Sequence, residues 1–263
     1  MKLLFLLAFM VATSAAAGRI LLSHPAQPLP VEAAPAPAPA PAQAPPKEER
    51  SATIKGSVKF KGVIPKRRKI GTDAEPKCSA MHATDPLLSE DIVMDAAGNL
   101  QWALVTVKEG LGDRKFEIPK TPVVVEQKGC RFDPHVFGVM AGQDVLIRNR
   151  DELVHIIHVK PTANREFGFS QQKAGEERTK VFTDKETIKV FCDVHTWMSA
   201  WAVVLDHPYH GVTGPDGKYT IKNLPAGKYT LEMWHEKYKP VTQEVEVKDK
   251  ETKTVSFEIT DKP

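Results

Sequence analysis

Apolar and polar positions alternate along this chain in short runs. Ile54, Val58 and Phe60 alternate with polar residues around Gly56 and before Gly62, which predicts a strand and a turn. The stretch from Asp73 to Glu90 reads as a loop. Ile92 to Met94, a turn at Ala97-Gly98-Asn99, and Ala103 to Val107 read as a β-hairpin. Further strands are predicted at Thr121 to Glu126, Val136 to Met140, Val145 to Asn149, Val154 to Val159, Ile188 to Phe191 and Trp201 to Leu205. No segment keeps a 3.6-residue period, so the expected fold class is all-β, built as sandwiches.

After Leu205 the pattern changes character. Val212 to Ile221 reads as strand, Asp216-Gly217 turn, strand, and Leu224-Pro225-Ala226-Gly227 makes the next turn. Tyr229, Leu231 and Met233 then alternate with polar residues. Val245 with Val247, and Val255, Phe257 and Ile259, mark two more half-buried strands.

Composition adds to this picture mainly at the N-terminus. Met1-Lys2, the apolar run from Leu3 to Val11 and Ala15-Ala16-Ala17 have the order of an export signal cleaved after Ala17. Thr13, Ser14, Gly18 and Arg19 interrupt any longer apolar span. A Pro/Ala-rich segment over 18–51 follows, and its Pro35 to Pro41 tract predicts an extended spacer. The expected location is therefore periplasmic or secreted, with possible attachment to a cell surface or complex through that linker. The formal charge of the 263 residues is +3 with acids and bases interleaved, as in Lys248-Asp249-Lys250-Glu251. Nucleic acid is not an expected partner.

The candidate chemistry lies in Phe191-Cys192-Asp193-Val194-His195-Thr196-Trp197-Met198. A thiolate, an imidazole and a thioether in C-x2-H-x2-M spacing suit a mononuclear copper site, provided a second histidine comes from elsewhere. A turn with a buried Cys and Met would show the same residues. Upstream, Asn149-Arg150-Asp151-Glu152-Leu153-Val154-His155 offers the missing imidazole. With both stretches in this order, and with Phe132-Asp133-Pro134 through Val145 between Thr121 and the first of them, residues 121–206 resemble the cupredoxins, small blue copper proteins, and among them the amicyanin type.

The resemblance implies one type 1 copper site with His155, Cys192 and His195 in the trigonal plane and Met198 as the long axial ligand. It also implies that Asn149 ties the two ligand stretches together by hydrogen bonds. The family usually has Asn directly after the first ligand, where this chain has Ile156. His158 lies an odd number of positions from His155, so in a strand it faces the other way and reads as supporting or structural. Three cysteines in an exported protein leave one over. With Cys192 on copper, Cys78 and Cys130 remain as a disulfide pair. The alternative is a second metal site drawing on Cys78, Met81 or His82 with Cys130 and His135.

Gly214-Pro215-Asp216-Gly217-Lys218-Tyr219 and Leu224 to Leu231 resemble carboxypeptidase regulatory-like (transthyretin-like) sandwiches. Those modules open on a G-x-V strand, which Gly56-Ser57-Val58 fits. The second sandwich is therefore expected to comprise 52–120 and 207–260, with the cupredoxin unit inserted in it or joined to it. No H-E-x-x-H motif suggests a peptidase. His207 to His210 reads as the joint between the modules, with facing the copper end as the alternative; Trp234 and His235 stand out beside it without an assigned role.

Together these readings imply an exported one-electron carrier rather than an enzyme. No H-x-H pair suggests further copper ions, and no substrate is expected. The expected partner is a redox protein docking near His195. The alternative is a scaffold or surface-binding protein, or a copper carrier, using the same fold without redox work.

Overall fold

The computed structural model describes residues 51–260. The expected leader over 1–17 and nearly all of the Pro/Ala segment lie outside the described residues. The chain opens with β1 (Ala52–Lys61), the one-and-a-half-turn helix α1 (Pro76–Met81), β2 (Val93–Met94), β3 (Leu100–Gln101) and β4 (Leu104–Glu109). Nine strands follow: β5 (Val123–Gln127), β6 (Phe132–Asp133), β7 (Val136–Met140), β8 (Asp144–Asn149), β9 (His155–Val159), β10 (Phe167–Gln171), β11 (Glu177–Val181), β12 (Glu186–Cys192) and β13 (Ser199–Leu205). The described chain ends with β14 (His210–Val212), β15 (Lys218–Leu224), β16 (Gly227–His235), β17 (Tyr238–Val247), β18 (Thr252–Thr254) and β19 (Phe257–Thr260).

The expected all-β architecture is present, and of the two arrangements the inserted one is formed. β1 pairs antiparallel with β15 and parallel with β18 and β19. β4 lies between β14 and β16, with β17 at the edge. These two sheets enclose Ile54, Val58, Phe60, Val105, Tyr219, Ile221, Leu231, Met233 and Phe257. Strands β5 to β13 make their own sheets, ordered β10-β9-β12-β13-β7 and β11-β8-β5-β6. Their alternate residues, among them Val125, Phe137, Val139, Ile147, Ile157, Ile188, Val190 and Val204, form a second core. Between the modules Leu104 packs with Val136, Val203 and Leu205, flanked by Trp102, Trp201, Val212 and Trp234. The Trp201 and Trp234 rings meet edge to face at 5.6 Å.

Several local readings are corrected. β2 pairs with β3 across the Asp95 to Asn99 turn, so the expected hairpin closes earlier and β4 belongs to another sheet. The Asp216-Gly217 turn joins β14 to β15, which lie in different sheets; it is a corner and not a ladder hairpin. The Asp73 to Glu90 loop contains α1, whose first position is Pro76 and whose cap is Glu75, accepting from the Lys77 amide at 3.2 Å. β10 and β11 had no sequence signal strong enough to read. β11 shows why: Glu-Arg-Thr-Lys-Val carries no alternating apolar face, and the strand is held by backbone pairing to β8 at the sheet edge.

Gly56 is required by packing, not by its dihedrals. It lies where β1 passes from pairing with β18 to pairing with β19, and Val255 in that gap donates its amide to the Lys55 carbonyl at 2.8 Å. A Cβ on Gly56 would fall 1.6 Å from the Val255 carbonyl oxygen. Gly56→Ala is therefore expected to destabilise the protein by about 3 kcal/mol or more, read as a lower urea midpoint. A midpoint equal to that of the unmodified chain would contradict this close approach.

Candidate metal centre

The candidate site is built by strand register. β9 and β12 run antiparallel, with Cys192 opposite Ile157. Directly opposed residues share a face, and residues two apart on one strand do too. His155, two before Ile157, therefore projects from the same face as Cys192 at the end of the strand pair. The turn from β12 to β13 supplies the rest. Phe191 pairs with Ser199, the Cys192 amide donates to the Met198 carbonyl at 3.2 Å, and the Met198 amide donates to the His195 carbonyl at 2.8 Å. His195 is folded back over Cys192, and its own amide donates to the Cys192 Sγ at 3.4 Å.

The result is a buried group of His155, Cys192 and His195. Nδ1 of His155 lies 3.1 Å from Nδ1 of His195, and Cys192 Sγ lies 3.6 Å from the latter and 4.0 Å from the former. A point equidistant from three atoms so placed is about 2.1 Å from each, the length of a metal–nitrogen bond and about 0.2 Å short of a metal–thiolate bond. Met198 is buried beneath the same turn, packed into the inner core with Cys192.

Protonation suits the same centre. Burial would push the Cys192 thiol up, but hydrogen bonds from the His155 and His195 rings and the His195 amide outweigh it and hold the thiol at about 5. His155 Nε2 is 3.1 Å from Asp151 Oδ2. A carboxylate only accepts, so Nε2 carries a hydrogen toward Asp151. Burial would lower the His155 pKa, but Asp151 and Cys192 together hold it above the usual imidazole range. The metal-free ring therefore also keeps a proton on Nδ1 facing the thiolate, one that a metal ion would displace. Asp151 is also buried. Burial would raise its carboxyl, but His155 and the Cys130 and Gly129 amides, donating at 2.9 and 2.7 Å, hold it below the usual range. Nothing in the sequence pattern assigns Asp151 this role. Its signal was its position four residues before His155.

Asn149 does not make the expected tie between the two stretches. Its side chain donates to the Leu153 carbonyl at 2.9 Å and accepts from the Asp151 amide at 2.8 Å, so it shapes its own loop. The tie is a backbone one: the Asp193 amide donates to the Ile156 carbonyl at 2.9 Å. A carbonyl needs no particular side chain, which accounts for Ile at position 156. His158 faces away from His155, as expected. Its ring stacks on Phe191 at 5.0 Å and bridges Asp193 and Glu166 at 3.0 and 2.9 Å.

Cys78 and Cys130 form a disulfide, with Cα atoms 5.9 Å apart. The alternative second metal site is not assembled. Met81 is 44% exposed. The His82 ring is hydrogen-bonded to the Gly129 and Asp85 carbonyls, and His135 is bonded between the Ser199 carbonyl and Glu236. The disulfide instead pins α1 over the candidate site, helped by Lys77 Nζ donating to the Glu152 carbonyl at 2.6 Å. Glu75, the α1 cap, brings a carboxylate oxygen to 3.8 Å from His195 Nε2, which has no hydrogen-bond partner among the described residues. His195, near which a redox partner is expected to dock, is consequently only 1% exposed.

Of the other noted histidines, His210 meets the inner module, while His207 and His235 are held within the outer one. His207 Nε2 donates to the Val107 carbonyl at 2.8 Å. The His210 ring lies against Gly138, where a Cβ would come within 2.3 Å of it. Trp234 packs on Trp201, and His235 is buried, which pushes its pKa down to about 4.

A family model for the carboxypeptidase regulatory-like domain matches residues 200–260. The match begins inside β13 and runs through β14 to β19. No curated protein matches the chain. Among solved structures, the chain is similar to a copper-containing nitrite reductase from Thermus scotoductus, at 21% identity and a TM-score of 0.32. The similarity covers 37% of this chain and 25% of the reductase, so this chain spans about a quarter of that protein's length. It is also similar to a purple cupredoxin from Nitrosopumilus maritimus, at 17% identity, over 32% of this chain and 99% of the other, with a TM-score of 0.28. A mutant of amicyanin in its Cu(I) form shares 19% identity over 38% of this chain and 98% of its own, with a TM-score of 0.30. Both resemblances read from the sequence, to cupredoxins and to carboxypeptidase regulatory-like domains, recur in these matches.

Proposed function

We propose that this protein holds one copper ion with His155, Cys192, His195 and Met198 and carries single electrons. The observation that supports this most is the triangle of two imidazole Nδ1 atoms and one thiolate sulfur, at 3.1, 3.6 and 4.0 Å. Two nitrogens and a thiolate in a plane, with a thioether nearby, are a donor set matched to copper electron transfer. The bound ion would supply a one-electron couple between Cu(II) and Cu(I).

The protein's own residues do the remaining work. Cys192 is held as a thiolate before any metal arrives. Asp151 fixes the tautomer and direction of His155. Backbone hydrogen bonds across the Cys192 to Met198 turn keep three of the four donors from rearranging between oxidation states. With all four donors from the chain, no position is kept for a substrate, and the carrier reading is preferred to an enzyme.

The leader-like start, the Pro/Ala segment and the Cys78–Cys130 disulfide support an exported protein, since disulfides persist in oxidising compartments. The segment before Ala52 would then hold the folded part away from a surface or complex, and a redox partner would approach the metal end.

Addition of Cu(II) to the purified protein is expected to give intense visible absorption from thiolate-to-copper charge transfer. Cys192→Ala should abolish it, while Met198→Leu should keep the colour and change the reduction potential. Absence of colour in the unmodified protein would reject the reading. Copper that binds without being cycled by mild redox agents would point to carriage of the metal instead.

Asp151→Asn is expected to lower stability of the metal-free protein by about 1–3 kcal/mol, because one of three donors loses its acceptor. It should also weaken copper binding about 10- to 100-fold, measured by competition titration. A variant matching the parent in both would remove Asp151 from the site.

A further inference from the structure

The α1 cap takes the His195 ring edge out of solvent, so an electron reaching the centre from outside has to cross another group. Trp197 is placed for this. Its ring centroid is 5.3 Å from that of His195, and its Nε1 donates to the Cys130 carbonyl at 3.0 Å, which fixes the indole between the disulfide and the candidate centre. Trp197 also lines a cleft of about 420 Å³, together with Thr196, Met198 and Ser199 of the same turn. That volume is of the size that admits small ligands.

The charge around this cleft is uneven in its availability. Arg68, Lys69, Arg131 and Lys189 line it, all exposed. None of the four is in an ion pair with another described residue, whereas two of the cleft's acids are engaged. Glu236 is bound to His135, and Asp91 is bound to Ser89 with Lys237 at 3.7 Å. The third, Glu90, is partly buried, and burial raises its pKa despite the nearby cations. The cleft therefore presents unneutralised positive charge next to an aromatic ring that touches a candidate copper ligand.

We propose that this cleft binds a small redox-active anion, and that Trp197 is the contact through which the anion exchanges one electron with the centre. The proposal rests on the copper reading. For an anionic donor, one electron leaves the anion and reduces Cu(II) to Cu(I); no bond is made or broken and no proton moves. Positive charge at the entrance raises the local concentration of such an anion and its encounter rate.

Two probes of the same charge sign and shape separate binding from electron transfer. Hexacyanocobaltate(III) is redox-inert and can be titrated into the metal-free protein by calorimetry. Ferrocyanide is its electron-donating counterpart, and its reaction with the copper-loaded protein can be followed by loss of colour. The double variant Arg131→Glu/Lys189→Glu is expected to bind hexacyanocobaltate at least about tenfold more weakly and to be reduced by ferrocyanide at least about tenfold more slowly at low salt. The visible spectrum and the rate with neutral ferrocenemethanol should be unchanged. Lys55→Glu, on β1 of the outer module, should match the parent in every measurement. Trp197→Leu should slow both donors while keeping the blue spectrum.

Hexacyanocobaltate that does not bind the unmodified protein, or that binds the double variant equally well, overturns the proposal. So does a ferrocyanide rate insensitive to ionic strength, a test that needs no variant. Failure to turn blue rejects the copper reading instead, and the calorimetric measurement on metal-free protein still reports on the cleft.

Discussion

The antiparallel register between β9 and β12 is the constraint on which the candidate centre depends. Pairing of Cys192 with Ile157 puts a thiol and the His155 imidazole on one face of one sheet end. A shift of a single residue would turn one of them into the opposite face, because the side-chain period of a strand is two. The register is held by burial on the other side of the same argument: Ile157, Val159, Ile188 and Val190 occupy the inner core only in this alignment. The same hydrophobic alternation that folds the sandwich therefore sets the spacing of the candidate metal donors.

The second consequence of the architecture is the low polarity around those donors. In an isolated sandwich of this kind the Cys192 to Met198 turn would lie at an open end. Here the chain leaves β1 of the outer module, forms α1 across that end and is fastened there by Cys78–Cys130 before returning to β2. Charge interactions strengthen as water is excluded. This accounts for a thiol held near 5 in spite of its burial, and for a carboxylate, Asp151, kept charged inside by three donors. The cap also separates the histidine ring from solvent and leaves the indole of Trp197 as the neighbouring group facing the cleft.

The joint between modules bears on the site as well. His135 reaches from the inner sandwich to the Ser199 carbonyl, one residue beyond Met198, and to Glu236 of the outer module. Trp201 on β13 packs against Trp234 on β16, and Leu104 on β4 joins Val136, Val203 and Leu205. The strand that follows the Cys192 to Met198 turn is thus clamped from both modules. Such support restricts the movement of Cys192, His195 and Met198 relative to the rest of the fold.

Much of this was legible in the sequence. Alternation at Val145 to Asn149, Val154 to Val159 and Tyr229 to Met233 marked strands with a buried face. The C-x2-H-x2-M turn and the Asn149 to His155 stretch supplied Cys192, His195 and His155, which the fold brings together. Turn residues and hydrophobic period are local properties, so the order of residues carries them directly. The insertion was half legible, because Gly56 matched an opening strand whose partners lie some 160 to 200 residues later. What the sequence could not carry were contacts between distant segments with no local pattern. The backbone tie from Asp193 to Ile156 uses groups every residue has. β11 has no alternating apolar face, and its pairing with β8 is a contact between distant segments. Asp151 gains its role from amides at 129 and 130, and Glu75 from a ring 120 positions away. The residue types and their spacing determined which donors this chain could offer. The tertiary fold decided which of them meet, which carboxylate steadies them, and that the site lies under a cap.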